Sequence, residues 1–202
     1  MKIKQRNIAD LQTAKLADLS PRDRVLRTAL DLFYEHGVHS VGIDRIIAES
    51  GVAKMTFYRH FPSKARLIAE YLAYKDRDWQ QLIARFTGDE SKPALERLLA
   101  VFDALAVSIL HPGFRGCPFI RSMAEFGPEQ DEPEVRQTIA AHFTGMEKFV
   151  TGLVKQIRPR DSKKFVHPIL SIITGTVVIA QASGRRDVAA KNKELVKQLL
   201  AL

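Results

Sequence analysis

The chain has 202 residues, of which 46% are hydrophobic and 27% charged, and this balance excludes the highly charged, apolar-poor composition of disordered chains. Its formal net charge of +8 favours an anionic partner, with nucleic acid ahead of an anionic membrane surface. The single cysteine, Cys117, excludes an intramolecular disulfide and a cysteine-rich zinc site. We therefore expect a folded, water-soluble protein in a reducing compartment, by default the cytoplasm.

The sequence contains one candidate membrane span, and we read no secretion signal in it. Residues 1–19 are basic at their start but include no apolar run of signal-peptide length. Residues 165–184 lack Asp, Glu, Lys and Arg and approach the roughly 20 residues that a helix needs to span a bilayer. Polar residues such as His167 and Gln181 instead favour a helix buried against protein, so we expect no membrane partner.

Almost every segment shows helical rather than strand periodicity, which predicts an all-α fold. The first helix begins at Ser20-Pro21, because serine caps a helix and proline suits its first position, and it ends at Gly37. Two short helices joined by a turn at Gly51 then suggest a helix-turn-helix. Ser63 is the expected cap of the long helix that follows. The predicted helices span 21–36, 43–49, 54–60, 64–86, 93–110, 118–125, 134–157, 163–183 and 187–200.

The segment 54–60 has two chemically different faces. On a helical wheel Phe57 and Phe61 share one face, which we expect to pack inward. The remaining surface combines a cation, a phenol, a hydroxyl and a thioether, which can contact phosphates and base edges in a major groove. These outward and flanking residues are Met55, Thr56, Tyr58 and Arg59.

Lys54 adds a smaller argument for function at this segment. A cation in the first turn of a helix opposes the macrodipole and costs up to ~1 kcal/mol, and local rules broken in this way often mark functional sites. The alternative is that Lys54 and Arg59 are only solvated surface charges.

The stretch 43–67 resembles the N-terminal region of tetracycline-repressor (TetR) family regulators. In that region a glycine turn precedes a helix that carries Thr, an aromatic residue, Tyr and His-Phe, followed by a lysine. The resemblance covers residues 21–72, and its many fixed spacings make it specific. The matching residues are Gly51, Val52, Thr56, Phe57, Tyr58, His60, Phe61 and Lys64.

The resemblance implies that the second short helix enters the major groove. A homodimer would place two such helices on a roughly palindromic double-stranded operator. Residues 20–72 are then the DNA-binding domain and 73–202 a helical ligand-binding and dimerisation domain, preceded by a flexible arm over 1–19. The resemblance implies base or phosphate contacts for Lys54, Met55, Thr56 and Arg59, backbone contacts for Tyr58, His60 and Lys64, and Arg45 as a further candidate.

The C-terminal part is expected to hold a pocket for a small, largely apolar effector, whose residues we predict from composition. Aromatic and sulfur-containing side chains can line such a pocket, with a histidine as polar anchor. For each of them the alternative is ordinary core. The candidates are Phe102, Phe114, Cys117, Phe119, Met123, Phe126, His142, Phe143 and Met146, together with Phe149 and His167.

The last two predicted helices are the candidates for dimerisation. They carry apolar stripes with small residues that permit close approach between helices, and two helices from each subunit would form a four-helix interface. The candidate residues are Ile172, Gly175, Thr176, Ile179, Leu195 and Leu199.

Two other classes of protein compete with a transcriptional regulator. One is an enzyme with Cys117 as nucleophile and a histidine as base, but no spacing supports it; a structural cysteine is favoured, and a thiol redox sensor stays open. The six histidines form no i, i+4 pair, so we predict no metal site and no cofactor.

The second competing class is a basic protein that binds nucleic acid by charge alone. We predict a repressor, although the sequence leaves an activator open.

Overall fold

The computed structural model describes residues 11, 13–126 and 132–201, and within these ranges it contains helices and no strand. The predicted all-α fold is confirmed. A 3₁₀ turn (Leu16–Asp18) precedes the α-helices, which are α1 (Pro21–His36), α2 (Ile43–Ser50), α3 (Lys54–His60), α4 (Lys64–Thr87), α5 (Ala94–Leu110), α6 (Pro118–Glu125), α7 (Pro133–Ile157), α8 (Lys163–Ser183) and α9 (Val188–Ala201).

The start of α1 follows the chemistry of its first residues. Ser20 Oγ accepts a hydrogen bond from the Asp23 backbone N–H at 3.2 Å and donates one to the Asp23 carboxylate at 2.8 Å. Pro21 occupies the first helical position, where its missing N–H costs nothing. Both signals were visible in the sequence, which is why the predicted and observed starts of this helix agree.

Part of the predicted N-terminal arm, 1–19, lies outside the described residues. Within the described part, the side chains of Leu11 and Leu19 are buried. The Arg27 guanidinium donates to the Leu11 carbonyl at 2.6 Å and to the Ala14 carbonyl at 3.4 Å. These contacts hold the described end of the arm against α1.

The helices form two compact units that are not contiguous in sequence. The first unit consists of the chain up to Asp78 together with Pro118–Ile139. The second unit consists of Trp79–Cys117 and of the chain from Ala140 onward. As a result α4 and α7 each contribute residues to both units.

In the first unit, α1 packs against α2 and α3. The Phe33 ring meets the Tyr71 ring edge-on, with centroids 5.5 Å apart, and thereby joins α1 to α4. Fully burying a large apolar side chain stabilises a fold by about 1.5–3 kcal/mol, so a few such residues can hold these short helices. The largest fully buried side chains of this unit are Val25, Phe33, Ile46, Phe57, Phe61, Leu67, Tyr71, Leu72 and Phe119.

In the second unit, α9 packs against α5 and α8. Polar contacts accompany this packing: Lys193 Nζ lies 2.7 Å from the Asp103 carboxylate of α5. Asn192 Nδ2 donates to Thr176 Oγ1 of α8 at 2.8 Å. The core between these helices includes Leu98, Phe102, Leu105, Ile169, Ile173 and Val196.

By length and composition alone, α8 could cross a membrane, since its most apolar window has a mean hydropathy of 1.7. In this fold Phe165, Ile169 and Ile173 of α8 are buried in the core of the second unit. Burial of one helix face against protein accounts for part of the apolar composition, whereas Val178 and Ile179 of the same helix are exposed.

Candidate nucleic-acid interface and ligand cavity

The helix-turn-helix consists of α2, the turn at Gly51 and α3. Gly51 has φ +62°, a left-handed conformation that glycine adopts without strain and that lets the chain reverse within three residues. Val52, in the same turn, is buried and anchors the start of α3 against the unit. The turn therefore fixes the direction of α3 relative to α2.

The two faces of α3 are oriented as the helical wheel predicts. Phe57 is fully buried, with its ring 6.0 Å from that of Phe61 and edge-on to Tyr58 at 5.2 Å. On the opposite face the Met55 side chain is 83% exposed, and Tyr58 on the flank is 39% exposed. Thr56, also on the flank, is half-buried. The outward orientation is confirmed, and the DNA contacts of these residues stay a prediction.

The cations on the helix-turn-helix differ in how far protein groups engage them. Lys54 Nζ lies 3.7 Å from the Asp44 carboxylate, and Arg45 Nε donates to Glu49 at 2.7 Å. All four of these side chains are well exposed, so the two ion pairs are weak and can exchange for phosphates. Arg59 is exposed and has no ion-pair or hydrogen-bond partner among the described residues. Its guanidinium is therefore accessible to solvent and is not engaged by a described protein group.

Lys64, by contrast, is engaged by protein groups. Its ammonium donates to the His39 carbonyl at 3.1 Å, in the connection between α1 and α2. Burial lowers the pKa of Lys64, and the nearby Glu125 carboxylate opposes that shift. A phosphate at this position would compete with Glu125 for the ammonium. His60, the other candidate near the end of α3, is half-buried.

Glu125 and Arg121 of α6 bond to α1 and to the connection between α1 and α2, which the sequence did not indicate. Glu125 accepts a hydrogen bond from the His39 backbone N–H at 2.5 Å, and Arg121 donates to the Tyr34 carbonyl at 2.5 Å. A Cβ at Gly37, where φ is +90°, would lie 2.8 Å from the Glu125 carboxylate. These partners are 86 and 87 residues apart, so no local pattern could reveal them.

The second unit contains a cavity of about 380 Å³ lined mainly by apolar side chains. It is bounded by the C-terminal part of α4, the start of α5, the middle of α7 and one residue of α8. Of the predicted pocket residues, His142, Met146 and Phe149 line it. The sequence did not indicate the other lining residues, which are Trp79, Gln80, Ile83, Ala84, Thr87, Gly88, Arg97, Val101, Gly145, Val150 and Ile173.

The other predicted pocket residues lie elsewhere. A wider depression of about 560 Å³ between α7 and α8 is lined by Phe143 and His167, and also by Met146. None of the remaining candidates lines either cavity: Phe102 and Phe119 are fully buried, Phe114, Cys117 and Phe126 are half-buried, and Met123 is 54% exposed.

The predicted dimer residues divide by exposure. Ile179 and Leu195 are 50% and 48% exposed, and Val178 beside them is 43% exposed, so α8 and α9 present apolar surface. Thr176 is fully buried and bonded to Asn192, which keeps it inside the second unit. Ile172, Gly175 and Leu199 are half-buried.

Two short helices joined by a tight turn, with an outward face of polar and cationic groups, define a helix-turn-helix DNA-binding protein. The model of bacterial regulatory proteins of the tetR family matches residues 25–71, and that of the tetracyclin repressor-like C-terminal domain matches residues 94–195. The chain belongs to the TetR family of transcriptional regulators, as the resemblance in its N-terminal sequence implied.

Individual relatives agree with this assignment. The transcriptional activator FasR of Mycolicibacterium smegmatis is 30% identical over 172 residues, which cover 81% of this chain and 70% of FasR. An uncharacterized HTH-type regulator of Mycobacterium tuberculosis is 30% identical over 122 residues, and this match spans 59% of the chain and 60% of the relative. The crystal structure of SCO4454, a TetR-family regulator from Streptomyces coelicolor, superposes with a TM-score of 0.81 at 32% identity, covering 90% and 94% of the two chains.

Proposed function

We propose that this regulator binds a pseudo-palindromic DNA operator as a homodimer, represses the promoter that it occupies, and is released by a small, largely apolar effector. The outward face of α3 carries this proposal, because Met55 and Arg59 are exposed directly opposite the buried Phe57. An exposed thioether and an unpaired guanidinium can read a thymine methyl group and a guanine edge. On this proposal the protein works in the cytoplasm and is not an enzyme.

The distribution of charge favours a sequence reader over a protein that binds by charge alone. Residues 20–72 contain eight Lys and Arg against six Asp and Glu, a small excess for a DNA-binding domain. Residues 140–202 contain eleven against four, so most of the net charge lies in the second unit. Non-specific affinity for DNA grows with the number of phosphates that a protein neutralises. A DNA-binding domain with little net charge therefore depends more on specific contacts for its affinity.

Dimerisation through α8 and α9 is supported by exposed apolar side chains on both helices. Val178 and Ile179 on α8 and Leu195 on α9 remain accessible in the single chain. Burying them against a second copy would remove apolar area from water, the main favourable term in association. The two-fold symmetry of such a dimer matches a pseudo-palindromic operator.

The cavity is the proposed effector site, and α4 connects it to the helix-turn-helix. Trp79, Ile83 and Thr87 near the end of this helix line the cavity, whereas Lys64 and Leu67 at its start belong to the first unit. A ligand that shifts α4 would therefore move residues of the DNA-binding unit along the same helix. Linkage then requires operator to weaken effector binding by the same factor.

The test of the DNA-binding proposal is selection of bound duplexes from a random library at near-physiological salt. Recovery of a pseudo-palindrome is the expected result, and retention without sequence preference would favour the charge-only alternative. On the selected operator, Arg59→Ala should lose about 1–3 kcal/mol of discrimination against random duplex.

Two further variants control for loss of charge. Lys64→Ala should weaken operator and random duplex similarly, since it is the predicted phosphate contact. Arg160→Ala removes one exposed cation from the connection between α7 and α8 and should leave the discrimination unchanged. An equal loss on operator and random duplex for Arg59→Ala would refute base reading by Arg59.

Repression, as opposed to activation, is tested at a promoter that contains the selected operator. FasR is named a transcriptional activator, so sequence similarity alone does not decide between repression and activation. We expect transcription to fall when the purified protein is added and to recover when an effector is supplied. An increase in transcription on addition of the protein would show an activator in place of a repressor, and it would leave the proposal of operator recognition intact.

A further inference from the structure

The cavity of about 380 Å³ contains one cation, Arg97, among otherwise uncharged lining residues. Arg97 belongs to the first turn of α5, and its side chain is only 15% exposed. Its Nε donates to the Thr87 carbonyl, at the end of α4, at 2.9 Å. This bond fixes the guanidinium plane beside the cavity and engages only one of its three nitrogens.

The terminal nitrogens of Arg97 are weakly engaged. Among the described residues they have no hydrogen bond, and the one ion pair is Nη2 to Glu90 at 3.9 Å. Glu90 is 86% exposed, so water screens this attraction strongly. Asp89 also acts on Arg97 electrostatically, but its carboxylate accepts hydrogen bonds from Ser91. The two terminal nitrogens are therefore available to a ligand.

An arginine beside an apolar cavity has a defined chemical preference. Guanidinium pairs with carboxylate through two parallel hydrogen bonds, and a charged group next to apolar surface is costly unless it has a counter-ion. Trp79, Ile83 and Phe149 supply the apolar walls of the same cavity. A ligand that satisfies both features has an apolar body and one carboxylate.

We propose that the cavity binds an apolar carboxylate, with Arg97 as the anchor of its anionic head. The inference rests on the proposed effector site and narrows its ligand from apolar molecules in general to apolar acids. Gln80, Thr87 and His142 are the other polar residues that line the cavity, and His142 is buried.

Trp79 gives a direct readout, because it is the single tryptophan of the chain and lines this cavity. The probes are octanoate and octanamide, which have the same carbon chain and differ in charge. Titration of each, followed by Trp79 fluorescence and by calorimetry, should show octanoate binding about tenfold more tightly. In Arg97→Met this preference should disappear, while the affinity for octanamide changes by less than about twofold.

Two further variants separate an anchoring role from a structural one. Arg97→Lys keeps the cation and should keep part of the preference, although lysine cannot pair bidentately. Arg160→Met removes a distant exposed cation and should leave the preference unchanged. Far-UV circular dichroism of each variant checks that the helices are retained.

The possible failures are distinguishable. Equal affinity for both probes in the unaltered protein, or an equal loss of both in Arg97→Met, would overturn the anion proposal and reduce Arg97 to a cap of α4. The apolar effector site would then stand. If neither probe changes Trp79 fluorescence or gives heat, both the anion proposal and the effector site are refuted, whereas operator selection tests DNA binding independently.

Discussion

The helix-turn-helix and the cavity are built in opposite ways. The helix-turn-helix exposes one face of a single short helix, so Met55 and Arg59 lie on a surface that the buried Phe57 supports from the opposite side. The cavity is a half-open space whose walls come from four helices, and its first and last lining residues, Trp79 and Ile173, are 94 positions apart in the sequence.

This difference determines what each region tolerates. On the exposed face of α3 a side chain can change without disturbing the packing beneath it. In the cavity, a lining side chain also belongs to the core, as Ile83 and Val101 do, so a change in ligand preference also changes stability. Specificity and stability are therefore separable in α3 and coupled in the cavity.

The largest expected effect on stability comes from removing a buried side chain of the helix-turn-helix. Phe57→Ala removes a fully buried aromatic side chain and should cost about 3–5 kcal/mol of unfolding free energy. Urea denaturation followed by far-UV circular dichroism measures this loss, and binding to the selected operator should disappear with it.

Met55→Ala is the matched control on the same helix. Its side chain is 83% exposed, so the unfolding free energy should change by less than about 0.5 kcal/mol. The affinity for operator should nevertheless fall. A loss of stability in Met55→Ala as large as that in Phe57→Ala would show that the surface and core of α3 are not separable.

An intermediate effect is expected from two glycines inside α7. A Cβ at Gly145 or Gly152 would meet no atom within 4 Å, and each glycine lies in a helix interior, where alanine is better by about 0.5–1 kcal/mol. Gly145→Ala and Gly152→Ala should therefore both raise the unfolding free energy by this amount.

Only Gly145 lines the cavity, so the two variants should differ in ligand binding. The added methyl group in Gly145→Ala narrows the cavity and should weaken octanamide binding by up to about tenfold. Gly152→Ala should leave it unchanged. If both variants weaken octanamide equally, the probe does not bind in this cavity.

The same contrast explains what could be predicted from the sequence. The bounds of α1 and α3 agree with the predicted ones, because Ser20-Pro21, Gly37 and Gly51 are local signals whose chemistry acts within a few residues. The faces of α3 follow from a 3.6-residue period for the same reason. The exposed face of one short helix can therefore be predicted from its sequence.

The cavity was only partly predictable, because composition does not say which apolar side chains border an empty space. Phe102 and Phe119 look like Phe149 in the sequence, yet they are fully buried away from the cavity that Phe149 lines. Arg97 cannot be recognised from the sequence, because a single charged residue at the start of a helix is ordinary. Only its position beside Thr87 and the cavity distinguishes it.

The smallest expected effect concerns the Glu125 carboxylate beside Lys64. Glu125→Gln keeps an oxygen that can accept the hydrogen bond from the His39 N–H but removes the negative charge. Lys64 would then be left to DNA phosphates without a competing anion, and the affinity for random duplex should rise about two- to fivefold at low salt. Electrophoretic mobility shifts at several salt concentrations measure it, and the gain should shrink at high salt.

Glu194→Gln is the matched control, because it changes the net charge equally at an exposed position of α9, in the second unit. Its effect on duplex affinity should be smaller than that of Glu125→Gln. Equal gains in the two variants would mean that net charge, and not the position of Glu125, sets the affinity. A gain that persists at high salt would instead indicate a structural change in the connection between α1 and α2, where His39 lies.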